Sequence, residues 1–174
     1  MGLRPGRCYR KLERPYTRQS KTKPRKSYAK GVPESKIKSF EAGTKKPFSK
    51  TLVLISERGV QIRHNALEAA RIVVTKKLEA EVGLENFFFK VLVYPHHILR
   101  ENPLATGAGA DRFQTGMRLS YGKAIGTAAR VHPGQKLIEV RTEQNWLLQA
   151  KHILKSAASK LPTPCKIVEV TQTN

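Results

Sequence analysis

Trp146-Leu-Leu-Gln-Ala-Lys-His-Ile-Leu-Lys-Ser-Ala-Ala-Ser-Lys-Leu161 sets Trp146, Leu147, Ala150, Ile153, Leu154, Ala157, Ala158 and Leu161 along one stripe of a helix. Thr142 stands where such a helix takes its cap. The preceding Lys136-Leu-Ile-Glu-Val-Arg-Thr142 reads as a strand. Cys165-Lys-Ile-Val-Glu-Val-Thr171 reads as another, once Pro162 and Pro164 have stopped the helix. Upstream the same order recurs. Thr51-Leu-Val-Leu-Ile55 and Val60-Gln-Ile-Arg63 read as short strands about Gly59. A helix over about 66–82, capped by Asn65 and ended by Gly83, carries Leu67, Ala70, Val74, Leu78 and Val82 on its stripe. Phe87 to Tyr94 then reads as a strand stopped by Pro95. Thr127-Ala-Ala-Arg-Val131 reads as a further strand, joined to the one at 136–142 by the turn His132-Pro-Gly-Gln135. This order predicts an α+β domain: two split β-α-β halves with both helices packed on one mixed sheet.

Outside that domain the character changes. Of 33 Lys+Arg against 13 Asp+Glu, net +20, the first fifty residues hold 16 cations and only 3 acids. Pro5, Pro15, Pro24, Pro33 and Pro47 punctuate them, and no apolar period of useful length appears. The reading is therefore a basic extended arm over 1–50 and a globular domain over 51–174. Free in water, much of such an arm is expected to stay disordered, because its few apolar groups cannot offset about 1 to 2 kcal/mol of backbone entropy per residue. Arg4, Arg7, Arg10, Lys11, Arg14, Arg18, Lys21, Lys23, Arg25, Lys26 and Lys30 alternate with Tyr9, Tyr16 and Tyr28, and Lys36 follows. Cations to neutralise phosphates, with rings to stack between them, are what a nucleic-acid contact uses; a solvated tail is the plainer alternative.

The second unusual segment is the connection at about 100–126, rich in glycine and long for a compact domain. Gly107 and Gly109 are followed by Arg112 where a dinucleotide fingerprint needs glycine. Gly116 and Gly122-Lys123 are one residue too far apart for a phosphate-binding loop, and Ala124 replaces its magnesium-binding hydroxyl. No nucleotide cofactor is expected. Two readings remain for this loop: RNA contact through Arg112, Gln114, Arg118 and Lys123, or a solvated connection with incidental charge. Glu101 and Asp111, each beside an arginine, read as ion-paired rather than as an acid/base couple. His64, His96 and His97 lack a third ligand at zinc spacing, and Cys8 with Cys165 offers neither a metal pair nor a disulfide framework. An RNA-modifying enzyme would need a nucleophile or cofactor pocket that this spacing does not supply. No run approaches the roughly 18 to 20 apolar residues of a membrane span, and no secretory signal is evident.

Gly6-Arg-Cys-Tyr-Arg10, Gly31-Val-Pro-Glu-Ser-Lys-Ile37, Ala66-Leu-Glu-Ala-Ala-Arg-Ile72, Gly109-Ala-Asp-Arg-Phe-Gln-Thr-Gly-Met-Arg118 and Gly126-Thr-Ala-Ala-Arg-Val131 occur in this order. Together they resemble the archaeal and eukaryotic branch, L ten-e in the older naming, of the large-subunit ribosomal protein L sixteen family. The resemblance runs over nearly the whole chain and implies a non-catalytic, rRNA-binding constituent of the large ribosomal subunit, monomeric within a cytoplasmic ribosome. It implies an α/β hammerhead with a barrel-like part, placed near the base of the central protuberance among neighbouring ribosomal proteins. It further implies that the loop of Gly107, Gly109, Asp111, Arg112, Gln114, Gly116 and Arg118, with Arg100 at its base, faces tRNA in the aminoacyl and peptidyl sites. A part in late subunit assembly comes with it. No cofactor, metal, membrane or small-molecule substrate is expected.

Overall fold

A computed structural model describes residues 3–17, 20, 22–27, 29–102, 107–110 and 121–170. Among the described residues eight strands and two α-helices follow one another: β1 (Glu41–Gly43), β2 (Lys50–Ser56), β3 (Val60–Arg63), α1 (His64–Glu81), β4 (Phe87–Val91), β5 (His97–Glu101), β6 (Lys123–Val131), β7 (Lys136–Thr142), α2 (Leu147–Ala158) and β8 (Cys165–Val170). The class is α+β, as the period changes in the sequence predict.

The strands do not share one mixed sheet. They form two, a five-stranded sheet ordered β1-β4-β7-β2-β8 and a three-stranded sheet ordered β3-β6-β5, and every pairing is antiparallel. Among the described residues neither closes into a barrel. β2 and β3 look like a hairpin in sequence but part company. Ser56 turns away, donating its N–H to Gln135 O (3.0 Å) and accepting from Gly134 N–H (2.8 Å), so β3 is free to pair with β6 instead.

α1 packs on α2 and over β3, β6 and β4, while α2 lies over β2, β7 and β8. One continuous core results, in which Leu67, Ala70, Val74 and Leu78 of α1 meet Ala150, Ile153, Leu154 and Ala157 of α2. Phe87 and Phe89 are fully buried, each worth about 1.5 to 3 kcal/mol of transfer free energy. Ile37 and Phe48, from within the first fifty residues, are buried too.

Several ends differ from the sequence reading. α1 begins at His64, so Asn65 lies inside it and Arg63 takes the cap position without a side-chain bond. Gly83, at φ 84°, ends it as expected; its N–H and that of Val82 both reach Leu78 O, at 3.0 and 2.9 Å. Thr142 caps nothing. It is buried at the end of β7, where its hydroxyl donates to Asn86 O (3.0 Å), and a short turn of 3-10 helix, Gln144–Trp146, leads into α2. The strand expected over 87–94 ends at Val91, and β5, which the sequence reading does not recognise and whose Arg100 and Glu101 it places in the loop, is a full pairing partner of β6.

Candidate nucleic-acid interface

The three-stranded sheet has two open edges, β3 and β5, and the N-terminal segment covers both. On the β3 edge, Gln61 N–H donates to Arg10 O (3.0 Å), and its side-chain Nε2 donates to Tyr9 O (3.2 Å) and Lys11 O (2.7 Å). Arg63 Nη1 adds a bond to Arg4 O (2.9 Å), and its guanidinium lies 5.4 Å from the Tyr9 ring centroid. On the β5 edge, Ile98 N–H donates to Tyr16 O (2.9 Å), while Tyr16 N–H donates to His97 Nδ1 (3.2 Å). Unpaired edge amides are thereby satisfied by chain rather than by water. These bonds use the segment's backbone and leave its described cationic side chains at the surface. Arg4, Arg7, Arg10, Lys11, Arg14, Lys23, Arg25, Lys26, Lys30 and Lys36 are all exposed. Of these ten, only Arg4 forms an ion pair among the described residues, with Glu101 at 3.5 Å.

A second histidine repeats the device. His64 Nδ1 accepts the Lys36 N–H at 2.7 Å, and its ring fits over Gly126, where a Cβ would come within 3.1 Å of Nε2. Burial, then the Lys36 and Arg63 charges, hold His64 below its ordinary pKa. Burial also lowers His97, with Glu13 opposing and Arg130 and Arg100 assisting. Both rings are spent as acceptors, which explains two of the histidines without a metal. His96 is exposed.

The root of the glycine-rich connection lies where β5 and β6 meet. A bulge between Leu99 and Arg100 sets Leu99 opposite Gly126 but Arg100 opposite Ala124, which leaves Ile125 unpaired and re-aims Arg100. Its guanidinium stacks on the Tyr16 ring, centroid distance 3.7 Å, and approaches Tyr121 at 5.9 Å. Glu101 therefore pairs with Arg4 and not with its sequence neighbour Arg100, a correction to the sequence reading. A cavity of about 270 Å³ opens between segment and strand, lined by Arg4, Tyr9, Tyr16, His97, Arg100 and Glu101 among others. Gly107, Gly109 and Lys123 are exposed. Arg18, Lys21, Tyr28, Asp111, Arg112, Gln114, Gly116 and Arg118 lie outside the described residues.

The family model for ribosomal protein L16p/L10e matches residues 15–168. The chain belongs to that family. It is also 51% identical to the large ribosomal subunit protein uL16 of Staphylothermus marinus, over 97% of this chain and 94% of the relative. To the proteins of the same name from Hyperthermus butylicus and Archaeoglobus fulgidus it is 49% and 45% identical, over 96% and 97% of this chain and 93% of each relative. The L16p/L10e proteins are structural ribosomal components, not enzymes, which agrees with the reading drawn from the failed nucleotide motifs. Among the described residues no helix is long and apolar enough to cross a membrane.

Within this family member, sequence reasoning identifies Arg4, Tyr9, Arg10, Lys11, Tyr16, Lys36 and Arg100, but not what they rest on. Gln61, Arg63, His64 and His97 are the missed residues. Gln61 and Arg63 alternate with Val60 and Ile62 and should point to solvent; Gln61 is nonetheless 2% exposed. A glutamine and an arginine on the outer face of a short apolar strand are the signal that something else lies across it.

Proposed function

We propose that the chain is a structural constituent of the large ribosomal subunit in the cytoplasm, bound to rRNA chiefly through a basic arm within residues 1–50, with 51–174 as its mount. The observation that carries this is the run of exposed cations from Arg7 to Lys36 with no acidic partner among the described residues. Each phosphate they neutralise releases condensed counterions, a gain that grows with the number of contacts. The names of the relatives, all large-subunit proteins, support the choice of subunit. In this reading rRNA and adjoining ribosomal proteins are the partners, one copy serves each subunit, and the body adopts the family's hammerhead arrangement near the base of the central protuberance.

The connection at about 100–126 is proposed to face tRNA and the peptidyl-transferase region, supporting tRNA positioning and late subunit assembly. Arg112, Gln114 and Arg118 would fork onto or stack against RNA, while Arg100, Gly107, Gly109, Asp111, Gly116 and Lys123 shape and aim the loop. It supplies contacts and steric guidance, with no bond-making group. Sedimentation tests the first part: the tagged chain is expected to travel with large subunits through moderate salt, and a chain that remains at the top of the gradient refutes it. Replacing Arg112 and Arg118 by Ala tests the second. tRNA affinity should fall while subunit occupancy holds; unchanged tRNA affinity and translation rate would make the loop a spacer.

A further inference from the structure

Beyond β4 the chain stays extended, and burial alternates: Val91, Val93, Pro95 and His97 point in, while Leu92, Tyr94 and His96 point out. This leaves an outward row containing two rings. Phe40 stacks on Tyr94, with centroids 5.3 Å apart and planes inclined 23°, and Tyr94 meets His96 at 4.5 Å and 44°. Tyr94 nevertheless keeps 52% of its surface exposed. The three rings border a cavity of about 620 Å³, within the range of roughly 300 to 1,000 Å³ typical of small-ligand clefts. Ser35 and Thr127 also line it, and the hydroxyl oxygens of both lie out of solvent without a hydrogen-bond partner among the described residues.

We infer that this cavity receives a single unpaired nucleobase of an RNA strand, stacked as one more ring on the Phe40–Tyr94–His96 ladder. The inference rests on the rRNA-binding reading and adds a subsite to it. An aliphatic peptide side chain would suit an apolar trough; this wall is aromatic, and stacking on rings is how proteins hold splayed-out bases whatever their sequence. Lys38 stands at the rim, with Lys36 two residues away, where a strand entering the cavity would bring its flanking phosphates. Glu34 also lines the rim and pairs with Lys38 at 3.0 Å, so Lys36, which has no ion pair among the described residues, is the cation left for those phosphates.

The test uses the full chain with two fluorescein-labelled RNA hexamers at low salt, hexa-adenylate and an abasic hexamer of equal phosphate number. The chain is expected to bind hexa-adenylate about tenfold more tightly. Tyr94→Ala should abolish that preference without weakening the abasic complex, and Tyr94→Phe should restore it. Equal affinity of the unaltered chain for both hexamers, or a preference that survives Tyr94→Ala, overturns the subsite while leaving phosphate-driven rRNA binding intact. Binding to neither hexamer overturns the rRNA reading as well. Because Tyr94 is half exposed, the variant should fold, and an unchanged melting temperature verifies that.

Discussion

The Arg100 guanidinium lies 3.7 Å from the Tyr16 ring centroid, so the root of the glycine-rich connection is clasped by a side chain of the N-terminal segment. Arg100 Nη1 also approaches Tyr121 O at 3.4 Å, which ties the two ends of the connection to the same group. Segment and loop root thus share a joint. A planar, always-charged guanidinium suits it, because it can stack on a ring face and still donate in its plane.

A double-mutant cycle measures that joint. Tyr16→Ala and Arg100→Ala are each expected to speed proteolysis of the N-terminal segment and lower stability, with a coupling of about 0.5 to 2 kcal/mol between them. Arg100→Lys should recover less than half of it, since an ammonium does not stack as a plane. Additive single effects in urea titrations would show that the contact carries no energy.

The histidine latches predict a pH dependence. His64 and His97 have lowered pKa values in the docked state, so an undocked imidazole takes its proton first as pH falls below about 6.5. Their contribution is complete above that value and is lost as acid titrates through the lower docked values. Amide exchange at Tyr16 and Lys36, corrected for intrinsic rates, should show weaker protection at about pH 5 than at about pH 7.5. Equal protection at both would contradict the latch.

How much of this was legible in the chain depends on the range of the interaction. α1, α2, β7 and β8 announce themselves through local period; the stripes of α1, α2 and β7 lie in the observed core, and Cys165 and Ile167 of β8 are partly buried against it. β1 is three residues, Glu41-Ala-Gly43, too short for any period, and is a strand only because β4 lies beside it. β5 hides behind Pro95 and ends in Arg100 and Glu101, so its polar tail resembles a loop. The split into two sheets was invisible because alternation says which residues face inward, not which neighbour a strand chooses. Cations are conspicuous in a sequence; the backbone bonds from Gln61 and Ile98 that lay them out are not.

Gly122 has a stricter requirement than its neighbours in the loop. It sits at φ +63°, and a Cβ there would lie 2.5 Å from Glu101 O. Gly122→Ala must shift that carbonyl in addition to the roughly 1 to 2 kcal/mol of a left-handed residue. A fall in melting temperature of at least about 2 to 8 °C is expected for a chain of this size. Gly59→Ala is the control: its nearest neighbour would be Pro133 at an ordinary 3.5 Å, and it should melt within a degree or so of the parent.

The two thiols should differ sharply in reactivity. Burial, aided by the Glu57 charge, pushes Cys165 up to about 11, and its Sγ donates to Thr163 O at 3.3 Å; Cys8 is exposed. At about pH 8 only about one Cys165 in a thousand is thiolate. Iodoacetamide should therefore label Cys8 readily and Cys165 slowly, as peptide mass mapping would show. Comparable labelling of the two would mean that the β8 end opens.

The arm's charge and its docking can be separated at Arg10 and Lys11, because there the docking uses backbone carbonyls. Deleting residues 1–30 removes the cations but also strips the edges of β3 and β5, so lost rRNA binding would be ambiguous. Replacing Arg7, Arg10, Lys11 and Arg14 by Gln keeps the Arg10 and Lys11 carbonyls that Gln61 binds and removes only charge. If each cation neutralises one phosphate, log K against log salt should flatten by about three, from roughly 0.7 to 0.9 per contact. Thermal stability should stay within about 0.5 kcal/mol per site, as expected of exposed residues with no ion pair to lose. A steep loss of binding with an unaltered salt slope would point instead to disturbed docking. An unaltered slope with unaltered binding would mean that these four cations face solvent in the ribosome, leaving Lys23 to Lys36 to carry the contact.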